Sequence, residues 1–162
     1  MLDSRLYYTN SIYRTTLFLI ILSMWKTNPT LEYLNELGRG SLQEHLGIEF
    51  TEIGTDYIKA RMPVDHRTKQ PMGLIHGGAS AALSETMGSI AGVLIIEDMT
   101  KQSIVGIEIN ANHLSPAKSG YVYATTKPVK IGRRLQVWNT EIHDEDEKLI
   151  CTSRLTTMII EQ

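Results

Sequence analysis

The spacing of apolar residues along this chain changes twice, and each change predicts a change of element. Leu31, Leu34 and Leu37 recur at helical spacing, with Asn28-Pro29 ahead of them as cap and first helical position and Gly38 behind as a stop. Ser41-Leu-Gln-Glu44 has the form of a capping box and predicts one further short turn. From Leu46 the period becomes two: Leu46, Ile48 and Phe50, then Ile58, Ala60 and Met62, alternate with polar or small residues. That predicts two half-buried strands with Gly54 in the turn between them, followed by a polar loop from Pro63 to Pro71. The stretch from about Gly78 to Ile96 is too long for a strand and rich in alanine, which predicts a helix. It is apolar nearly all round, as a helix covered on most sides must be. Gly88 and Gly92 weaken it by about 1 kcal/mol each relative to alanine, so a sheet or partner chain is expected to approach closely there. Alternation then resumes in four segments: Ile107 to His113, Tyr121 to Val129, Leu135 to Ile142 and Leu149 to Ile160. In the first, Ile107, Ile109, Ala111 and His113 share a face. The order of helix, two strands, long helix, four strands predicts an α+β fold with one antiparallel sheet wrapped around one long helix.

Composition narrows the function. The chain has 162 residues, enough for one domain with a real core, and a formal net charge of −2 gives no basis for nucleic-acid binding. Its one cysteine, Cys151, rules out an intramolecular disulfide, fits a reducing compartment such as the cytoplasm, and lies in an alternating segment as a core thiol. The apolar run Leu17–Leu22, preceded by Arg5 and Arg14, superficially resembles an export signal. It is short for one, lacks a small-residue cleavage site, and is too short to cross a bilayer. The expected division is an extension over 1–23, before a natural start at Met24-Trp25-Lys26, and one domain over 24–162. No histidine pair has the spacing of a zinc or calcium motif, and no phosphate-binding glycine loop occurs, so no metal and no cofactor are expected.

The candidate chemistry centres on Glu85. It is the only formally charged residue between Lys69 and Glu97. An isolated carboxylate is costly to bury unless it is paired, hydrogen-bonded or protonated. Nine residues earlier, His76-Gly77-Gly78 marks the start of the long helix. Free N–H groups and the positive end of the helix dipole can stabilise an oxyanion there, and glycine lets a ligand approach. The bland alternatives are a flexible tight loop and a satisfied buried glutamate.

The run from Met62 to Ser80, with Gly106-Ile-Glu-Ile-Asn-Ala-Asn-His113, Gln136-Val-Trp138 and Ser153-Arg-Leu-Thr-Thr157, resembles the PaaI-type acyl-CoA thioesterases of the hotdog fold. Within that group it is most similar to the bacterial 1,4-dihydroxy-2-naphthoyl-CoA hydrolases and their sister proofreading thioesterases of siderophore synthesis. The resemblance runs from about Met24 to Ile160. It implies that Glu85 is nucleophile or general base and that Gly77 binds the thioester oxygen. Gln70 and His76 would be polar groups at the carbonyl and the substrate ring. Ser89, one turn beyond Glu85, would orient water or the carboxylate; the alternative is a packing serine. For the CoA end it implies Gly106, His113, Leu114, Ser115 and Pro116, and the turn Lys130, Ile131, Gly132, Arg133, Arg134 and Leu135. A solvated basic hairpin, with Lys127 nearby, is the alternative for that turn. Met72 departs from the phenylalanine common in close relatives, and Ile75 and Met87 are expected to flank the acyl pocket. The resemblance further implies a homo-oligomer, a dimer of dimers with joined sheets and sites at the dimer interface. The acyl group, and the choice between CoA and a carrier protein, stay open. The competing classes are a non-catalytic acyl-CoA-binding hotdog protein and a hotdog hydratase. The latter uses an Asp/His pair, and no Asp lies between Gln70 and Glu97.

Overall fold

Six strands form a single antiparallel sheet in the computed structural model, which describes residues 23–161. The apolar run Leu17–Leu22 with Arg5 and Arg14 lies outside the described residues. The elements are α1 (Leu31–Leu37), α2 (Leu42–Leu46), β1 (Glu49–Ile53), β2 (Ile58–Pro63), α3 (Gly77–Val93), β3 (Gln102–His113), β4 (Tyr121–Ile131), β5 (Leu135–His143) and β6 (Leu149–Glu161). The strand order is β1-β2-β4-β5-β6-β3. The last-paired strand, β3, therefore lies at one edge with β6 on its inner side only.

The alternation read from the sequence is the sheet's inner face. Ile58, Ala60 and Met62 on β2, Val122 and Ala124 on β4, Trp138 and Ile142 on β5, and Cys151 and Leu155 on β6 are all buried. Helix α3 lies on that face through Ala79, Leu83, Met87, Gly88 and Ala91. Each large apolar side chain there contributes about 1.5–3 kcal/mol by leaving water. The approach is close because of the glycines. A Cβ on Gly88 would press on the Leu155 side chain and lie 3.4 Å from Trp138 Cβ. The sheet is thus what approaches the two helical glycines. Cys151 is the expected core thiol, and burial pushes its pKa up.

Four details correct the sequence reading. Helix α1 starts at Leu31 and is capped by Thr30, whose hydroxyl accepts from Tyr33 N at 3.1 Å. The chain ahead of it is pinned elsewhere, with Lys26 N donating to Leu94 O at 2.9 Å, and Asn28-Pro29 stay outside the helix. Leu46 closes α2 instead of opening β1; Ser41 caps that turn as expected. Met87 faces the sheet and is fully buried, so it belongs to the core and not to an acyl pocket. Ile107 sits at a register shift between Gly106 and Glu108 and is 51% exposed, while Ile109 and Ala111 pack on the core. A bulge of this kind turns a side chain away from its alternating face.

The opposite face of α3 is covered less well. Ala81, Ala82, Glu85, Thr86, Ser89, Ile90 and Val93 are only half-buried. The full cover expected from an all-round apolar helix is not supplied by the described residues.

Candidate active site

The loop before α3 builds one wall of the site. Thr68 is buried, and its hydroxyl donates to Pro63 O at 2.6 Å while accepting from Asp65 N at 3.1 Å. Arg67 clamps Asp65 and holds its carboxyl down at about 2. Thr68 O receives His76 N at 2.8 Å, and Ile75 N donates to Ala117 O at 2.8 Å. These bonds fix the hairpin between Lys69 and Ile75 that carries Gln70. The Gln70 side-chain oxygen accepts from Met72 N, which leaves its NH₂ group to donate outward. Met72 itself is 83% exposed at the loop tip.

His76 is the N-cap of α3. Its Nδ1 accepts from Gly78 N at 2.8 Å. In the neutral ring the proton must therefore sit on Nε2, which can donate but not accept. This favours a hydrogen-bonding role for His76 over a general-base role. It also uses up the Gly78 N–H, so of the two glycine N–H groups at this helix start only that of Gly77 stays open. Gly77 N is the first helical N–H, and among the described residues it has no acceptor.

Gly77 opens into a pocket of about 360 Å³ with Gln70, Leu74, Ile75, Ser80, His113, Leu114, Ser115, Pro116 and Ile150. The predicted residues Gln70 and Gly77 and the stretch His113–Pro116 are thus brought together, with Ile75 beside them. A Cβ on Gly77 would lie 2.6 Å from His113 Nε2, so a side chain here would push the His113 ring out of its place. Leu74, Ser80 and Ile150 were not singled out from the sequence. Ser80 had one legible signal: it follows Gly77 by three positions and so shares its helix face.

Glu85 lies elsewhere on the same helix. Its carboxylate is half-buried against Gly106, where the missing side chain on β3 leaves the room it occupies. Among the described residues it has no hydrogen-bond or ion-pair partner. Gly77 and Glu85 are eight residues apart on α3, about 12 Å along the axis. Ser89 is half-buried on the Glu85 side of the helix. Glu85 and Ser89 do not line the Gly77 pocket.

The basic turn forms a third location. Gly132 N closes it on Leu135 O at 2.8 Å. Arg133 and Arg134 border a groove with Gln102, Ile159, Ile160 and Glu161, away from the Gly77 pocket. Lys130, Arg133 and Arg134 are exposed and have no ion-pair partner among the described residues. Lys127 leaves this group, its ammonium standing 5.6 Å from the Tyr57 ring centre. No group of three or more His, Cys, Asp or Glu that could hold a metal occurs among the described residues.

A six-stranded antiparallel sheet around one central helix, with a glycine-rich helix start facing a loop glutamine, defines a hotdog thioesterase. Residues 72–151 match the family model described as the thioesterase superfamily. The 1,4-dihydroxy-2-naphthoyl-CoA hydrolase of Escherichia coli is 52% identical over 137 residues, covering 85% of this chain and 99% of the relative. The proofreading thioesterase EntH of Cronobacter turicensis is 50% identical over 137 residues, 85% of this chain and 98% of the relative. The crystal structure of a thioesterase from Haemophilus influenzae superposes with a TM-score of 0.82 at 51% identity, covering 85% of this chain and 95% of that one. The chain belongs to the thioesterase superfamily and is a thioester hydrolase.

Proposed function

We propose that this chain hydrolyses aromatic acyl-CoA thioesters, of the 1,4-dihydroxy-2-naphthoyl, benzoyl or phenylacetyl kind, to the free acid and CoA. The observation that carries the reading is the division of α3 into two half-sites. One end offers an open Gly77 N–H in a pocket with Gln70, next to the His76 cap; the middle offers a Glu85 carboxylate with no partner among the described residues. In this reading the thioester oxygen sits at Gly77 N–H, where the helix dipole favours developing negative charge. The Gln70 NH₂ and the His76 Nε2–H donate nearby. Glu85 either removes a proton from water, whose oxygen then attacks the carbonyl carbon, or attacks that carbon itself. Collapse of the tetrahedral adduct breaks the C–S bond, and the CoA thiolate leaves and takes up a proton. With Glu85 as nucleophile, water then cleaves the resulting acyl anhydride. Ser89, a turn beyond Glu85, orients the carboxylate or the water.

A glutamate side chain cannot span the roughly 12 Å of helix between Glu85 and its own Gly77. The reading therefore pairs Glu85 of one copy with the Gln70–His76 loop of another. Supporting it are the 12-residue β3, with no strand along its outer edge among the described residues, and the half-covered face of α3 next to it. A second copy adding its own β3 would extend the sheet and cover that face. We place the working form as a dimer of dimers in the cytoplasm. The CoA nucleotide belongs to Gly106, His113–Pro116 and the turn Lys130–Leu135, where arginine suits phosphate.

The test is release of free thiol from a panel of aromatic and aliphatic acyl-CoA esters and aryl-loaded carrier proteins. The expected order is aromatic CoA esters first. Preference for the carrier-protein thioesters would favour the proofreading role named for one relative, and no turnover of any ester would leave a binding protein.

A further inference from the structure

Strand β3 runs back along α3 and meets it at three points. Ile104 Cγ2 lies 3.3 Å from the position of a Cβ on Gly92, Gly106 makes room for the Glu85 carboxylate, and His113 faces Gly77. Two β3 residues therefore stand opposite the two chemical positions of α3, the carboxylate and the open N–H. His113 ends β3, follows Ile109 and Ala111 on the face that packs on the core, and pairs with Cys151 on β6. The chain just beyond it is pinned, with Leu114 N donating to Ile150 O at 2.8 Å. The ring points its Nε2 at Gly77: a Cβ there would lie 2.6 Å from Nε2, against 2.9 Å and 3.1 Å for Cδ2 and Cε1. His113 is exposed and lines the same pocket as Gly77 and Gln70. Its imidazole has no hydrogen-bond or ion-pair partner among the described residues. Arg133 and Arg134 border a different groove. Within one chain, His113 thus stands with the carbonyl-binding group and apart from the cations suited to phosphate.

We propose that His113 is a catalytic residue: its Nε2–H gives the thioester oxygen a second hydrogen bond beside Gly77 N–H. With Gly78 N–H held by His76, only one of the two glycine N–H groups at this helix start is open. An oxyanion is stabilised by each further donor already aimed at it. Imidazole carries a proton on Nε2 in one neutral tautomer and in its charged form, and donates from it in both. Glycine at position 77 keeps the space between ring and helix open, and the oxygen enters there. No proton is transferred; the bond strengthens as charge builds on the oxygen. The inference rests on the assignment of Gly77 as the carbonyl-binding group. It takes His113 out of the nucleotide contacts and leaves Leu114, Ser115 and Pro116 among them.

The test compares two esters of one aromatic acid, the CoA ester and the short pantetheine ester, which lacks the nucleotide. His113→Ala removes the ring, and His113→Phe keeps a ring against Gly77 but removes the donor. Each is measured for kcat, KM and thermal midpoint, beside Glu85→Gln. Both His113 variants should keep a near-normal midpoint and lose roughly 10²–10³-fold in kcat, the range for deleting one oxyanion donor. The factor should be the same on both esters, because the loss lies at the carbonyl. A raised KM on the CoA ester alone, with the pantetheine ester unaffected, overturns the proposal and returns His113 to the nucleotide. Normal kcat in His113→Phe also overturns it, since the ring then only packs. So does a loss of midpoint together with activity in both variants. In each of these cases an inactive Glu85→Gln leaves the site assignment standing. Full activity in Glu85→Gln would instead sink that assignment, and the role of His113 with it.

Discussion

Replacing Glu85 by Gln is expected to lower kcat on the best acyl-CoA ester by roughly 10²–10⁴, the range for losing a general base, with a small change in KM. The substitution keeps shape and removes only charge and basicity. The side chain faces Gly106 and has no hydrogen bond to lose among the described residues, so the thermal midpoint should be unchanged or raised. A purely structural glutamate would show the reverse pattern, with stability lost and turnover kept. Steady-state thiol release together with a melting curve separates the two outcomes, and near-normal turnover would refute the assignment. Single-turnover hydrolysis in ¹⁸O-water then distinguishes the two chemical roles. Label enters the Glu85 carboxylate only if that carboxylate attacks the thioester.

The second large effect is expected at the β3 glycine that faces the charge. A Cβ on Gly106 would overlap the Glu85 Oε1, while the nearest atom outside Glu85, Leu155 Cδ1, stands 3.8 Å off. The added methyl group therefore collides with the free end of a flexible side chain and not with the sheet. Gly106 has no positive φ, so its backbone accepts alanine. Gly106→Ala should fold with a near-normal midpoint and lose roughly 10²-fold in kcat, because a displacement of about 1 Å at a reacting group costs that much. In the Glu85→Gln background the same change should cost little further, since both act through one carboxylate. Additive losses would show that Gly106 serves the nucleotide directly and not the glutamate.

Much of the fold was legible because its determinants are local and periodic. The period-two runs of β2, β4, β5 and β6 each had one face to bury, and the glycines of α3 marked where Leu155 and Trp138 come close. What escaped depended on partners far along the chain. Nothing in Asn28-Pro29 announces that Lys26 will bond to Leu94, or in Ile107 that β3 will bulge against β6. Met87 reads as a pocket residue only until the sheet is known to lie on its side of α3. The site residues Glu85, Gly77, His76 and Gln70 stood out as charge, glycines and polar groups in an apolar run. Their separation by about two helical turns was legible too, since it follows from the 1.5 Å rise of an unbroken helix; which face of that helix the sheet occupies was not. Ser80 was hidden among small residues, where a hydroxyl that bonds to nothing looks the same as one that packs.

The pairing of Glu85 with the His76 loop of a second copy is tested most directly by mixing two inactive variants. Glu85→Gln and His76→Ala chains, each with low activity alone, are unfolded together and refolded or co-expressed. In a two-fold dimer with shared sites, every mixed pair carries one doubly altered site and one intact site, so a random mixture should recover roughly a quarter of the unaltered activity. If Glu85 serves the His76 and Gly77 of its own chain, every mixed site keeps one defect, and activity that stays at the level of the separate variants would contradict the account.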